Sequence, residues 1–147
     1  MKDMMIRDIE AADYAGWRRL WDGYLTFYRQ DLPEAVTART WARLLETAGI
    51  FGRVAVRAPE ILGFYIAFTH PSTWVMGEDC YLEDLFVDPE ARGLGVGRAL
   101  MADVQAVAQA KGCARLYWHT DIGNVRARAL YDSITPVGDV VRYRMAL

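Results

Sequence analysis

Little in this chain of 147 residues points to extremes. Its two cysteines, Cys80 and Cys113, lack both metal-ligand spacing and the framework of a disulfide scaffold. They read as reduced, ordinary residues, and a buried thiol is the expected fate of each. No apolar run approaches the ~18 residues of a membrane span. The first eight residues carry charges where a secretion signal needs an apolar stretch, so a cytoplasmic protein is expected. The formal net charge of −2 is too small for general binding to a nucleic-acid backbone. Repeats, low-complexity tracts and linkers are also missing. The two histidines, His70 and His119, suggest no shared site, and His119 reads as structural.

What remains is an ordinary globular composition, 53% apolar and 24% charged. The length fits one domain over residues 1–147 with a sizeable core. Residues 4–8 form a candidate strand. From residue 13 a helical period places Trp17, Leu20, Trp21, Tyr24 and Tyr28 on one face. After Asp31-Leu32-Pro33-Glu34 a second helix carries Trp41, Leu44, Leu45 and Ala48 on one face and ends at Gly49. Residues 53–57 and 61–69 read as a hairpin, and 80–87 as a further strand closed by Asp88-Pro89. A helix over 96–111, a strand over 114–119, a helix over 124–133 capped by Asn124 and a strand over 138–146 complete the chain. The order β-α-α-β-β-β-α-β-α-β makes an α/β (α+β) protein with a mixed sheet flanked by helices.

One loop interrupts this regularity. Arg92-Gly93-Leu94-Gly95-Val96-Gly97, followed by Arg98, lies between a strand and a helix. Its amides become the unpaired donors of a helix N-terminus, and glycines let them bend toward a ligand. Arg98 in the first helical turn opposes the helix dipole unless an anion sits there. A capping turn with solvated arginines is the plainer alternative. A P-loop needs Gly-Lys-Ser/Thr where Gly97-Arg98-Ala99 stands, and a dinucleotide fingerprint needs a glycine at Arg98.

The loop resembles the Arg/Gln-x-x-Gly-x-Gly/Ala signature of the GNAT superfamily of N-acetyltransferases. Before it, Tyr81-Leu82-Glu83-Asp84-Leu85-Phe86-Val87-Asp88-Pro89-Glu90 is similar to the family's central strand and turn. After it, Asn124-Val125-Arg126-Ala127-Arg128-Ala129-Leu130-Tyr131 resembles the family's Asn-x-x-Ala-x-x-Leu-Tyr segment. The likeness spans residues 80–131. The Leu-Glu-Asp strand resembles polyamine acetyltransferases, and the aromatic first helix resembles the histone and polyamine group. The chain departs from the pattern after Tyr131. There Asp132-Ser133-Ile134-Thr135-Pro136 replaces the usual charged pair and Gly-Phe, so the departure falls on the last turn and the substrate-side hairpin and leaves the cofactor motifs intact.

The resemblance implies a mostly antiparallel GNAT-like sheet and acetyl-CoA as the cofactor. It implies that backbone groups of Leu85, Phe86 and Val87 hold the pantetheine arm. The pyrophosphate would lie on Arg92, Gly93, Leu94, Gly95, Val96, Gly97 and Arg98, with Asn124 at the far end of the pantetheine. Tyr131 would stand at the thioester sulfur as proton donor, although a core tyrosine is the common fate of such a residue. For the base, strand alternation groups Glu83 with Leu85 and Val87, and Leu82 with Asp84 and Phe86. Apolar neighbours would raise the pKa of Glu83, whereas pairing with an arginine would make it structural. Asp84 or a water is the other candidate. Trp21, Tyr24 and Tyr28 could wall an amine pocket or be plain core. Glu78, Asp79, Glu83 and Asp84 could attract a cation or be a solvated strand end.

The expected activity is direct transfer of an acetyl group, in a ternary complex, to a primary amine. The acceptor is a polyamine, a small amine or amino acid, or a lysine side chain. No metal, nucleic acid or membrane enters this reading, and a homodimer is the family expectation, with 140–145 as a possible edge strand. The alternative is a non-catalytic acyl-CoA-binding sensor.

Overall fold

A computed structural model describes residues 3–147. Strand β1 is Met5–Asp8, and a short 3-10 turn leads into α1, Tyr14–Phe27. Helix α2 is Glu34–Glu46, β2 Ile50–Arg57, β3 Glu60–Pro71 and β4 Glu78–Val87. Helix α3 is Val96–Ala110, β5 Arg115–Trp118 and α4 Val125–Asp132. The five strands form one sheet in chain order, antiparallel from β1 to β4, with β5 parallel to β4.

Helical period decides which residues face the sheet. Trp17, Leu20 and Trp21 of α1 pack on Val54, Phe64, Ile66 and Phe86, with Trp41 and Leu44 of α2 beside them. On the opposite face Val96, Leu100, Met101, Val104 and Ala108 of α3 meet Ala55, Leu62, Tyr65, Ala67 and Leu82. Leu130 and Tyr131 of α4 join that second layer. Trp21 therefore belongs to the core. Its indole N–H donates to Thr37 Oγ1 at 3.1 Å, because a buried indole needs an acceptor. Leu45 points outward, and Thr37 takes an inward position on α2 instead.

Two features hold α3 against the sheet, one at its start and one at its middle. A Cβ at Gly63 would lie 2.9 Å from the Phe86 carbonyl and 3.2 Å from Val96 Cγ1, so only glycine allows this approach. Asp103 of α3 accepts from Arg53 Nε at 3.0 Å, Arg53 Nη2 at 2.9 Å and Tyr65 Oη at 2.8 Å. These charge-assisted bonds clamp the helix to β2 and β3.

The strand expected over 138–146 is not formed. Residues 136–147 are exposed coil, and none of their backbone groups bonds to another part of the described chain. Alternation in sequence makes a segment suitable for pairing, but a strand exists only where an edge accepts it.

Candidate active site

β4 and β5 are paired only from Asp79 with Arg115 to Leu82 with Trp118. Beyond Leu82, β4 keeps β3 on one side as far as Val87 and loses β5 on the other. The free edge leaves backbone groups of the last residues of β4 facing a cleft of about 800 Å³. Leu85, Phe86 and Val87 form one wall, Arg92, Gly93, Gly95, Val96, Gly97 and Arg98 one end, and Asn124, Leu130 and Tyr131 the other wall. Tyr28 also lines it.

The glycine loop has the conformation its composition suggests. Gly93 and Gly95 have φ of +83° and +77°, and a Cβ at either would meet nothing within 4 Å. Both are left-handed positions that disfavour other residues, and both face open space. Gly95 is the N-cap of α3, so the first amides of the helix are free of intrahelical partners. Arg92 and Arg98 are exposed on either side, and Arg98 Nη2 donates to Ser133 Oγ at 3.1 Å. Leu94 is not part of the cleft wall and points to solvent. The long groove, the free strand edge and the helix N-terminus together fit a ligand with an amide-bearing arm and a phosphate end.

Asn124 caps α4, its Oδ1 accepting from the Ala127 amide and its Nδ2 donating to Thr120 Oγ1, both at 3.3 Å. Tyr131 packs edge-on against Trp118 with ring centroids 5.4 Å apart. Burial pushes its phenol up to about 12, with Tyr28 adding to the shift, so it is protonated at neutral pH.

Around the carboxylates the structure corrects the strand reading. The β3–β4 register shifts so that Ile66 faces Asp84 while the next residue, Ala67, faces Leu82. Glu83 is the extra residue of a β-bulge, and the alternation reverses across it. Leu82 therefore shares the α3 face with Leu85 and Val87, whereas Asp84 and Phe86 turn toward α1. Glu83 is exposed and lacks the apolar surroundings expected of it. Asp84 has them. Burial raises its carboxyl to about 7, against the lowering effect of a hydrogen bond from Tyr24 and with the Glu83 charge adding to the rise.

Tyr24 Oη donates that bond to Asp84 Oδ1 at 2.7 Å. Its ring meets Tyr28 edge-on at 5.1 Å, which links Asp84 to the cleft wall through two aromatic side chains. Of the three aromatics considered for the amine pocket, Tyr24 and Tyr28 stand in this region, while Trp21 does not. The acidic cluster is also divided: Arg115 donates to Asp79 through Nε at 2.8 Å and Nη2 at 2.9 Å, leaving Glu83 and Asp84 together. Asp121, Gly123, Arg126 and Ala127 line the cleft as well and were missed from sequence. For Arg126 and Ala127 the Asn124–Tyr131 segment was the available signal, because a helix start exposes several residues to one groove, whereas Asp121 and Gly123 precede it.

Fold and site together define an acyltransferase of the GNAT type. Residues 14–134 match the Acetyltransferase (GNAT) family, and the chain belongs to it. It is an N-acetyltransferase, and the family it belongs to uses acetyl-CoA. The chain is 33% identical over 144 residues to the D-amino-acid N-acetyltransferase HPA3 of Saccharomyces cerevisiae, covering 96% of this chain and 89% of that protein. It is 33% identical over 98 residues to the thialysine N-epsilon-acetyltransferase of Caenorhabditis elegans, covering 67% of this chain and 61% of that one. Among solved structures, AAC(6')-Iy in complex with the bisubstrate analog CoA-S-monomethyl-acetylneamine superposes with a TM-score of 0.84. That match has 21% identity and covers 99% of both chains.

Proposed function

We propose that this chain, as a single cytoplasmic domain that associates as a homodimer, acetylates a primary amine with acetyl-CoA as donor. The observation that carries the reading is the free β4 edge at Leu85–Val87, which opens onto a cleft ending at the left-handed glycine loop. Backbone groups of Leu85, Phe86 and Val87 hold the amide-bearing pantetheine arm, as an added strand would be held. The amides of the loop and of the first turn of α3 take the pyrophosphate, with Arg92 and Arg98 supplying positive charge. Asn124 bounds the far end of the arm. When bound, acetyl-CoA supplies an activated acetyl thioester whose leaving group is a thiol.

Asp84 is the base in this reading. Its raised carboxyl is suited to taking a proton from an ammonium near neutral pH, and Tyr24 orients it. Glu83, exposed beside it, draws the cationic acceptor by charge. The Tyr28 ring offers a face to that cation. Tyr131 Oη keeps its proton at neutral pH and stands in the cleft as the acid. The acceptor is a small amine, a polyamine, an amino acid or a lysine side chain, a range supported by the amine acceptors named for the relatives. The test is calorimetric titration with acetyl-CoA, followed by thiol release across a panel of those amines. Saturable binding with acceptor-dependent thiol release is expected. Binding without release on any amine would leave only a CoA-binding module.

A further inference from the structure

Two histidines that the sequence leaves unrelated stand against one tyrosine. Tyr117 of β5 has the His70 ring edge-on at 5.8 Å and the His119 ring edge-on at 6.1 Å. Its Oη lies 2.7 Å from His70 Nε2, and Tyr81 Oη lies 3.2 Å from His119 Nδ1. Tyr81 and Tyr117 are cross-strand partners whose rings stack at 4.8 Å, and Phe68 of β3 is edge-on to Tyr81 at 5.3 Å. None of these five side chains belongs to either packed layer of the core, and Tyr117 and His119 are exposed. Aromatic rings held in order with polar rims, outside the core, are a surface suited to a ligand.

Register connects this platform to the buried carboxylate. Phe68 opposes Tyr81 and Ile66 opposes Asp84, so Tyr81 and Asp84 lie on one face of the sheet, two β3 residues apart. Glu83 bulges between them and is exposed. Its charge is felt on both sides. Burial is the larger cause of the raised pKa of Tyr24, Asp84, Tyr81 and Tyr117, and the Glu83 carboxylate adds to the rise at each. Of the nearby cations, Arg115 is held by Asp79 through two bonds. The Arg142 charge lowers the Tyr81 phenol, as a cation lodged against that ring does.

We propose that Tyr81, Tyr117 and His119, with the Glu83 carboxylate, form a second acceptor subsite for an ammonium group at the far end of the substrate. The preferred acceptor is then a diamine or a longer polyamine, acetylated at the end that reaches Asp84. The inference rests on the acetyl transfer and the role of Asp84 proposed above, and adds what the acceptor carries away from its reacting amine. Ring faces and hydroxyl oxygens attract the ammonium, and Glu83 supplies the opposite charge. His70 holds Tyr117 in place through its Nε2 contact. A carboxylate in the same place would meet Glu83, which disfavours an amino acid of matching length. Two to three residue steps at roughly 3.3 Å separate Asp84 from Tyr81 along the sheet. An extended chain with C–C bonds of about 1.5 Å covers that span with roughly four to six methylenes.

The test is a length series. Thiol release from acetyl-CoA is measured at fixed pH and salt with α,ω-diaminoalkanes of about two to eight carbons, and with alkylamines and ω-amino acids of the same lengths. The diamine should exceed the matching monoamine in kcat/KM by at least roughly tenfold, more than two equivalent ends provide, with the peak near four to six methylenes. The ω-amino acids should fall below the monoamines. Tyr117→Ala, His119→Ala and Glu83→Gln alter exposed residues, so the core is spared. Each should flatten the peak and bring the diamine-to-monoamine ratio down, chiefly through the KM of the diamine. Tyr117→Phe retains the ring and should retain most of the preference. A ratio that is flat with length, or a preference for the ω-amino acids, overturns the subsite and leaves acetyl transfer standing. A peak that survives all three variants overturns its location. No thiol release with any acceptor overturns the acetyl-transfer reading and the subsite with it.

Discussion

Tyr24 on α1 donates a 2.7 Å hydrogen bond to Asp84 on β4, joining residues that are sixty positions apart in the chain. Burial holds the carboxyl near 7, and the tyrosine bond keeps it from rising further. A carboxyl held at this value has the proton affinity that the proposed base role requires near neutrality.

Activity should therefore rise with pH through a limb near 7. Asp84→Asn should lower kcat by roughly a hundred- to ten-thousandfold, while Glu83→Gln should act mainly on the KM of cationic acceptors. The defect of Asp84→Asn should shrink as pH approaches the acceptor's own pKa, since a free amine needs no base. Pre-steady-state rates from pH 6 to pH 10 measure this. Full activity of Asp84→Asn across that range would assign the proton to water.

Tyr24→Phe removes the bond that lowers the Asp84 pKa. The alkaline-going limb of kcat should move to higher pH, with acetyl-CoA affinity unchanged. An unmoved limb would mean that the carboxyl of Asp84 is not what titrates in the rate profile.

The same shift has a stability signature. The folded carboxyl titrates near 7 and the unfolded one near 3.8, so between these values the native state binds the extra proton. Stability is greatest below the unfolded pKa and falls as pH rises to about 7. Asp84→Asn lacks this loss, so its Tm relative to the native chain should climb from pH 4 to pH 7 and level off above. Thermal melts in a buffer series read the difference directly.

Tyr131→Phe keeps the ring against Trp118 and removes the proton. A fall in kcat of roughly ten- to a thousandfold with little change in acetyl-CoA affinity is expected. Equal losses of binding and turnover would make Tyr131 a packing residue.

Gly95→Val places a β-branched side chain at φ +77° and on the open side of the loop. Acetyl-CoA affinity should fall at least tenfold, measured by titration at fixed salt, and the thermal stabilisation by ligand should vanish. Circular dichroism on the variant separates a blocked cradle from a disordered one. Unchanged affinity would remove the loop from the cofactor site.

The elements that carry their own period were legible in sequence. The aromatic face of α1, the apolar face of α3 and the glycine loop depend on neighbours three or four residues away, and each stands where its residues put it. The cleft followed, because a strand, a left-handed turn and a helix N-terminus are consecutive in the chain. What depended on distant partners was not legible. The bulge at Glu83 arises from the register between β3 and β4, and it moved the buried carboxylate from Glu83 to Asp84. Trp21 and Tyr24 share a helical face, yet one meets Thr37 on α2 and the other Asp84 on β4. The last segment has a strand's alternation without a strand's bonds. Side-chain period is a local property of the sequence, whereas hydrogen-bond register, burial of a charge and possession of an edge belong to the assembled sheet.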